Sequence, residues 1–304
     1  MLNFKTQIGQ CPFSHPIKTA HPIRISTKDW SFKTTDQTFD YVKCECGMYI
    51  LENPPVPEEI SMAYPHSEYS GWKKRSQFVH KIRKINNRKN LKCINIQNNT
   101  RVLDYGCGNG ELANIIAEQG IHVVAFDFSP AAYKENLLSL RQKKCLPTFT
   151  SNPEDIVGFF DVIFMLQVIE HLYDPIGTIT KLINNLNPNG LIVIETPTRD
   201  GWDSKLSPKE MWGGWHAPRH LHIWNPERLI TLSNHLNLEV VEFKYIPSPF
   251  LWAETIRCRF KNRFVRKIIN SDNVFFIFAS VILDLIQILS RSKTSNFRLV
   301  LKKK

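Results

Sequence analysis

Residues 101–110, RVLDYGCGNG, decide the fold. An apolar run, Val102 and Leu103, ends in a carboxylate at Asp104. Three alternate glycines follow, Gly106, Gly108 and Gly110, and a helical pattern opens at Glu111. A buried parallel strand that passes through a glycine turn into a helix is how open α/β sheets build ligand crevices. Glycine suits such a turn because it takes positive φ and lets backbone approach a ligand closely. A dinucleotide fingerprint would place its third glycine where Glu111 stands, and that charge opposes a pyrophosphate at the helix start. A P-loop requires Lys-Ser/Thr after the last glycine, and this chain has Glu111-Leu112. The residues therefore point to a cofactor without a phosphate. A ligand-free strand–helix connection is the bland alternative.

A second marker lies downstream. Residues 121–127, IHVVAFD, form another apolar run ending in a carboxylate, Asp127, ahead of a helix start at Ser129-Pro130. An acid at the end of the second strand is placed to accept both ribose hydroxyls of an adenosine. With it, VLDYGCGNG resembles the first motif of the class I S-adenosylmethionine-dependent methyltransferases at every position. The resemblance implies an α/β, Rossmann-like sheet of seven strands, the last antiparallel, with helices on both faces. It also implies S-adenosylmethionine held by Asp104, Gly106, Cys107, Gly108, Gly110, Asp127, Phe128, Asn152, Ile156 and Gln167. Most relatives carry Asp where this chain has Asn152, whose amide still offers a donor and an acceptor.

The remaining core elements follow in order. A helix is expected over 130–143 and a short strand over 146–150, then the SNPEDI loop at 151–156. The strand Asp161–Leu166 runs into QVIEHLYDP, residues 167–175. Asp174 suits a helix cap and Pro175 the first turn of that helix, which ends near 186 at NPNG. Further strands are expected at Gly190–Thr196, 238–245 and 297–302. Glu170 and His171 fall at the carboxyl end of the fourth strand, where open sheets place their chemistry. A histidine matches the removal of a hydroxyl proton near neutral pH, so His171 and His220, with Glu170, are the candidate catalytic residues.

Residues 199–224 hold four tryptophans and three histidines, His216, His220 and His222. So much aromatic surface is expected to cover something, and the segment reads as the wall of an acceptor pocket. Residues 274–289, VFFIFASVILDLIQIL, are short for a bilayer span of ~20 residues. Ser280, Asp284, Gln287 and Arg291 share one helical face, and the broad apolar remainder is expected to pack on the sheet. The alternative is an interfacial helix that makes peripheral membrane contact through 257–290.

The first seventy residues read as a small lobe, with 71–304 as the catalytic domain and a helical insertion near 250–290. Cys11, His15, Cys44 and Cys46 could supply four ligands to a tetrahedral zinc. The phrase Cys46-Gly47, an apolar strand and Asn53-Pro54 resembles the N-terminal zinc lobe of a methyltransferase subgroup found with bacterial surface-polysaccharide and deoxysugar pathways. The usual pairs there are Cys-x-x-Cys, from which Cys44-x-Cys46 and Cys11 with His15 depart. Tyr64 and Tyr69 match a Tyr-rich segment that covers the cofactor in that subgroup, and the Pro-Arg-His-Leu phrase at 218–221 recurs in it.

The formal charge is +11, and nine Lys or Arg with no acid crowd into 73–92. Such a surplus favours an anionic partner. Seven cysteines in irregular positions suit a reducing cytoplasm, at the inner membrane face if the interfacial helix operates. The opening residues lack the pattern of a secretory signal. The expected reaction is methyl transfer to a hydroxyl of a sugar, carried on a nucleotide- or lipid-linked diphosphate. RNA methylation, sugar C-methylation and a non-enzymatic binding role are the alternatives. Nucleic acid is disfavoured because no RNA-binding module accompanies the charge.

Overall fold

The computed structural model describes residues 1–17, 23–65, 91, 94, 99–129, 133, 146–260, 269 and 273–304. The basic stretch 73–92 and the helix expected over 130–143 fall almost entirely outside these residues, as do Tyr69 and residues 261–267. Two sheets organise the described chain. A seven-stranded sheet contains β4 (Arg101–Tyr105), β5 (His122–Phe126), β6 (Thr148–Thr150), β7 (Phe160–Leu166), β8 (Leu186–Pro197), β10 (Leu238–Tyr245) and β11 (Asn296–Lys303). Its order is β10-β11-β8-β7-β4-β5-β6, and β11 runs antiparallel to both neighbours. The chain moves from β4 to β5 and β6 on one side, then crosses to β7 and β8 on the other. The order therefore reverses between β4 and β7, and a crevice opens at such a switch point beyond the strands' carboxyl ends.

Strand alternation builds a core on each face. Leu103, Tyr105, Val124, Phe126, Ile163 and Met165 point to one side, where they meet α2 (Pro175–Asn184) and α4 (Pro226–His235). Val102, Val123, Ala125, Val162 and Phe164 point to the other, where α1 (Glu111–Ala117) lies. Asp174 and Asn225 cap α2 and α4 by accepting from Gly177 N and Arg228 N, and each helix has Pro at its start. β8 begins four residues earlier than expected. Phe160 pairs with Leu186 and Val162 with Leu191, so NPNG bulges from the start of the strand rather than ending the helix before it.

The smaller sheet has the order β1-β2-β3-β9, all antiparallel: β1 (Arg24–Lys28), β2 (Thr38–Lys43), β3 (Tyr49–Leu51) and β9 (His222–Ile223). Its fourth strand comes from the far end of the aromatic segment. Cys11, Cys44, Cys46, Met48 and Ile50 pack into the same core as one face of the large sheet.

The segment 199–224 contains α3 (Trp202–Leu206) and two short 3₁₀ turns. After β10 come α5 (Pro249–Cys258) and α6 (Val274–Leu289). The expectation that α6 packs its apolar face on the sheet is overturned. Ser280, Asp284 and Gln287 are buried along with Ile277, while Phe275 is 87% and Leu289 82% exposed. Asp284 in the inward polar stripe is satisfied: it accepts from Ser248 N at 2.6 Å and from Trp252 Nε1 at 3.0 Å, both at the start of α5. Among the described residues no helix is long and apolar enough to cross a membrane.

Candidate active site

The turn after β4 has the conformation its glycines were expected to permit. Gly106, Gly108 and Gly110 have φ of 80°, 52° and 74°. A Cβ on Gly106 would overlap Val168, and one on Gly110 would overlap the Phe149 ring. Gly106 thus abuts the QVIEH turn at the end of β7, two residues before Glu170. Gly106 N and Cys107 N both donate to Phe126 O, which fixes the turn to β5. Asp127 closes it from the other side, accepting from Gly108 N and Ser129 N at 2.9 Å each. Burial raises the Asp127 carboxyl above its usual range. Asp104 is fully buried, its Oδ2 has no hydrogen-bond partner, and burial pushes its carboxyl up to about 7.

Four further expected cofactor residues fall around this turn. Phe128 is exposed and meets Phe126 edge-on at 4.8 Å, and Phe126 stacks on Tyr105. Ile156 is half-buried against the core. Asn152 caps a 3₁₀ turn, Pro153–Asp155, by accepting from Glu154 N, which leaves its carbonyl a second lone pair. Gln167 has φ of 58° and sends its amide to Asn296 Oδ1 at 3.2 Å, on β11.

The QVIEH turn gathers the three candidate catalytic residues. Glu170 is fully buried; its Oε2 accepts from Thr196 Oγ1 at 2.9 Å, and its Oε1 has no hydrogen-bond partner. His171 Nε2 lies 4.0 Å from that oxygen. His171 Nδ1 lies 3.0 Å from Arg219 O and 3.2 Å from Tyr64 Oη. The His220 ring meets His171 edge-on at 4.6 Å, and its Nδ1 lies 2.8 Å from Gly214 O. One ligand atom from each of Glu170, His171 and His220 falls within 4.8 Å of the others. Burial lifts Glu170 to about 8 and draws His171 down to about 4, so His171 alone is a weaker base than a solvated imidazole. His216 extends the ring stack to 5.0 Å from His220 and is likewise drawn down by burial.

Comparison with known proteins gives the family of the chain. Residues 67–243, more than half the chain, match the family model described as a methyltransferase domain. The chain belongs to that methyltransferase family. The ubiquinone biosynthesis O-methyltransferase of Cereibacter sphaeroides is 28% identical over 170 residues, covering 52% of this chain and 68% of that one. The Rickettsia typhi protein of the same name is 27% identical over 195 residues, covering 58% and 77%. The solved magnesium protoporphyrin IX methyltransferase of Synechocystis PCC 6803, with bound SAH, superposes with a TM-score of 0.50. It covers 81% of this chain and 94% of its own at 12% identity, a likeness of fold. The motif reading of a class I S-adenosylmethionine-dependent methyltransferase stands.

Two features of this methyltransferase lie outside the cofactor turn. Cys11, His15, Cys44 and Cys46 present ligand atoms within 4.8 Å of one another. Cys11 Sγ lies 3.5 Å from Cys44 Sγ, 3.8 Å from Cys46 Sγ and 3.5 Å from His15 Nδ1. A tetrahedron with Zn–S bonds of ~2.3 Å has S···S edges of about 3.8 Å, so the donor set fits zinc. Cys46 and the other polar neighbours pull the Cys11 thiol down to about 5.

The second feature is Arg219, which sequence reasoning did not single out as functional. It is fully buried; Nη2 contacts Asp29 Oδ1 at 2.5 Å and Nη1 donates to Ala63 O at 2.6 Å. Against the upward push of burial, its guanidinium holds Asp29 below the usual carboxylate range. Its carbonyl meanwhile meets His171. The signal was the Pro-Arg-His-Leu phrase, but the partner lies 190 residues away.

Proposed function

We propose that this methyltransferase moves the methyl group of S-adenosylmethionine to a hydroxyl oxygen of a small polar acceptor, a sugar carried on a nucleotide- or lipid-linked diphosphate. One observation carries the reading. The contact of Gly106 with Val168 sets the cofactor turn against Glu170 and His171, so methyl donor and proton-accepting groups share one crevice. Asp104 Oδ2, buried and without a partner, suits the cofactor's ammonium. Asp127 uses one lone pair on each oxygen and keeps others for a ribose diol. Phe128 and Ile156 offer apolar surface for the adenine.

The sulfonium brings the driving force, and the chain aligns the acceptor oxygen with the methyl carbon. The hydroxyl proton is removed at the Glu170–His171–His220 cluster, where His171 Nε2 is the receiving atom. The names of the relatives favour oxygen as the methylated atom. The resemblance of the Cys/His segment and the Pro-Arg-His-Leu phrase to the surface-polysaccharide subgroup favours a sugar, and the +11 charge suits a diphosphate. The relatives' names also supply a second reading, a ubiquinone biosynthetic intermediate as acceptor.

The Cys11, His15, Cys44 and Cys46 cluster is a structural zinc site in this reading. It ties the β2–β3 turn to α4, where Asn225 Nδ2 and Arg228 Nε donate to Cys46 O. The outward apolar stripe of α6, with Lys261, Arg263, Arg266 and Lys267 close before it in the sequence, is a contact for an anionic membrane face. Methyl incorporation from labelled cofactor into nucleotide sugars and into ubiquinone intermediates tests the acceptor. Label in the nucleotide sugars supports the first reading, and label confined to the quinone series replaces it with the second.

A further inference from the structure

We infer that Glu170, His171 and His220 form a binding site for a divalent first-row metal ion that activates the acceptor hydroxyl. The inference rests on the proposed methyl transfer to a hydroxyl, and it replaces proton acceptance by His171 Nε2 with metal activation at the same cluster. Three observations converge. First, the three side chains bring a carboxylate oxygen and two imidazole nitrogens within 4.8 Å of one another. Second, Glu170 Oε1 is wholly buried without a hydrogen-bond partner and lies 4.0 Å from His171 Nε2. A buried side-chain oxygen without a partner is costly, and a cation bound there answers it.

Third, the ring orientations are set from behind. His171 Nδ1 faces Arg219 O and His220 Nδ1 faces Gly214 O, at 3.0 and 2.8 Å. A carbonyl can only accept, so each Nδ1 carries the hydrogen and each Nε2 keeps its lone pair. Metal-ligating histidines are held in this manner, with the second nitrogen donating to a carbonyl. Two histidines and one carboxylate leave coordination positions open for a substrate oxygen.

With the ion bound, His171 gives its Nε2 lone pair to the metal instead of taking a proton. The acceptor hydroxyl coordinates the ion, which lowers its pKa, and its proton passes to solvent water. The resulting alkoxide attacks the methyl carbon. The O–CH3 bond forms as the S–CH3 bond breaks, and the electron pair of that bond stays on sulfur in the departing S-adenosylhomocysteine.

The test is a titration of the full chain with Co2+, followed by visible absorption. The site should give ligand-field bands without the intense near-ultraviolet thiolate charge-transfer band that the cysteine cluster would add. Glu170→Gln keeps the bond to Thr196, and His220→Asn keeps a donor to Gly214 O. Each should weaken Co2+ at this site by roughly 100-fold or more. Binding of S-adenosylhomocysteine, read by thermal shift, reports separately on fold and cofactor. Retained cofactor binding with no such bands in the wild type, or with bands unchanged in both variants, overturns the metal site alone. Bands that respond to both variants, in folded protein that ignores S-adenosylhomocysteine, uphold the site and overturn its role in methyl transfer.

Discussion

The glycine turn after β4 and the aromatic segment 199–224 line the same end of the sheet, but they are specified in opposite ways. The turn is a backbone device. Its glycines adopt positive φ, its amides fold onto Phe126 O and Asp127, and these hydrogen-bond partners lie within about twenty residues of sequence. The aromatic segment is a side-chain device whose partners are remote. Arg219 is paired with Asp29, Tyr41 Oη sits 2.8 and 2.6 Å from Trp215 O and His220 O, and His222–Ile223 completes a sheet begun at Arg24. A local backbone device leaves a contiguous signature in the chain. A device of buried charges and rings leaves only composition.

The comparison breaks first at Arg219. Arg219→Met strands Asp29 as an uncompensated buried charge and should cost about 3–5 kcal/mol, read from chemical denaturation. Adding Asp29→Asn should recover a good part of that loss. If the single variant unfolds like the wild type, the segment is not held by this pair. Gly106→Ala forces an L-residue to φ of 80° and drives a methyl into Val168. We expect about 3 kcal/mol from strain and overlap together, with loss of S-adenosylhomocysteine binding.

Asp104 supplies a pH test of the turn. Its carboxyl is raised to about 7 when folded, so between its ordinary range and pH 7 the folded chain holds a proton that the unfolded chain has released. Stability conferred by the acid therefore falls as pH rises from about 4 to 7, and flattens above. Denaturation of wild type and Asp104→Asn across this range should show their difference shrinking in favour of the variant. Cofactor affinity should move the other way, rising through pH 7 in the wild type as the carboxylate forms, and staying level in Asp104→Asn. The smallest effect belongs to α6. Phe278→Ser on its outward face should leave stability within about 0.5 kcal/mol while reducing binding to anionic vesicles.

What the sequence disclosed follows the same division. Val102 to Gly110 and Asp127 could be read because strand, turn and acid are contiguous, and β10 begins and ends where its alternation does. The α6 helix was located to the residue, but its orientation was inverted. Periodicity shows which residues share a face, and only the satisfaction of Asp284 by Ser248 and Trp252 shows which face is inside. Asn152 is expected at a base edge, and its carbonyl also caps its own turn. Such a cap is available to any Asn ahead of a proline, and the cofactor motif masked it. The Glu170–His171–His220 cluster was legible as a list of residues. Its unpartnered oxygen and oriented rings were not, because Thr196, Arg219 and Gly214 supply them from other elements.

Calorimetric titration of the folded chain with S-adenosylhomocysteine tests the central claim most directly. A single site per chain, weakened by Gly106→Ala and by Asp127→Ala, is the predicted result. Protein shown to be folded that gives no heat with S-adenosylhomocysteine or S-adenosylmethionine, at more than one temperature, would contradict it.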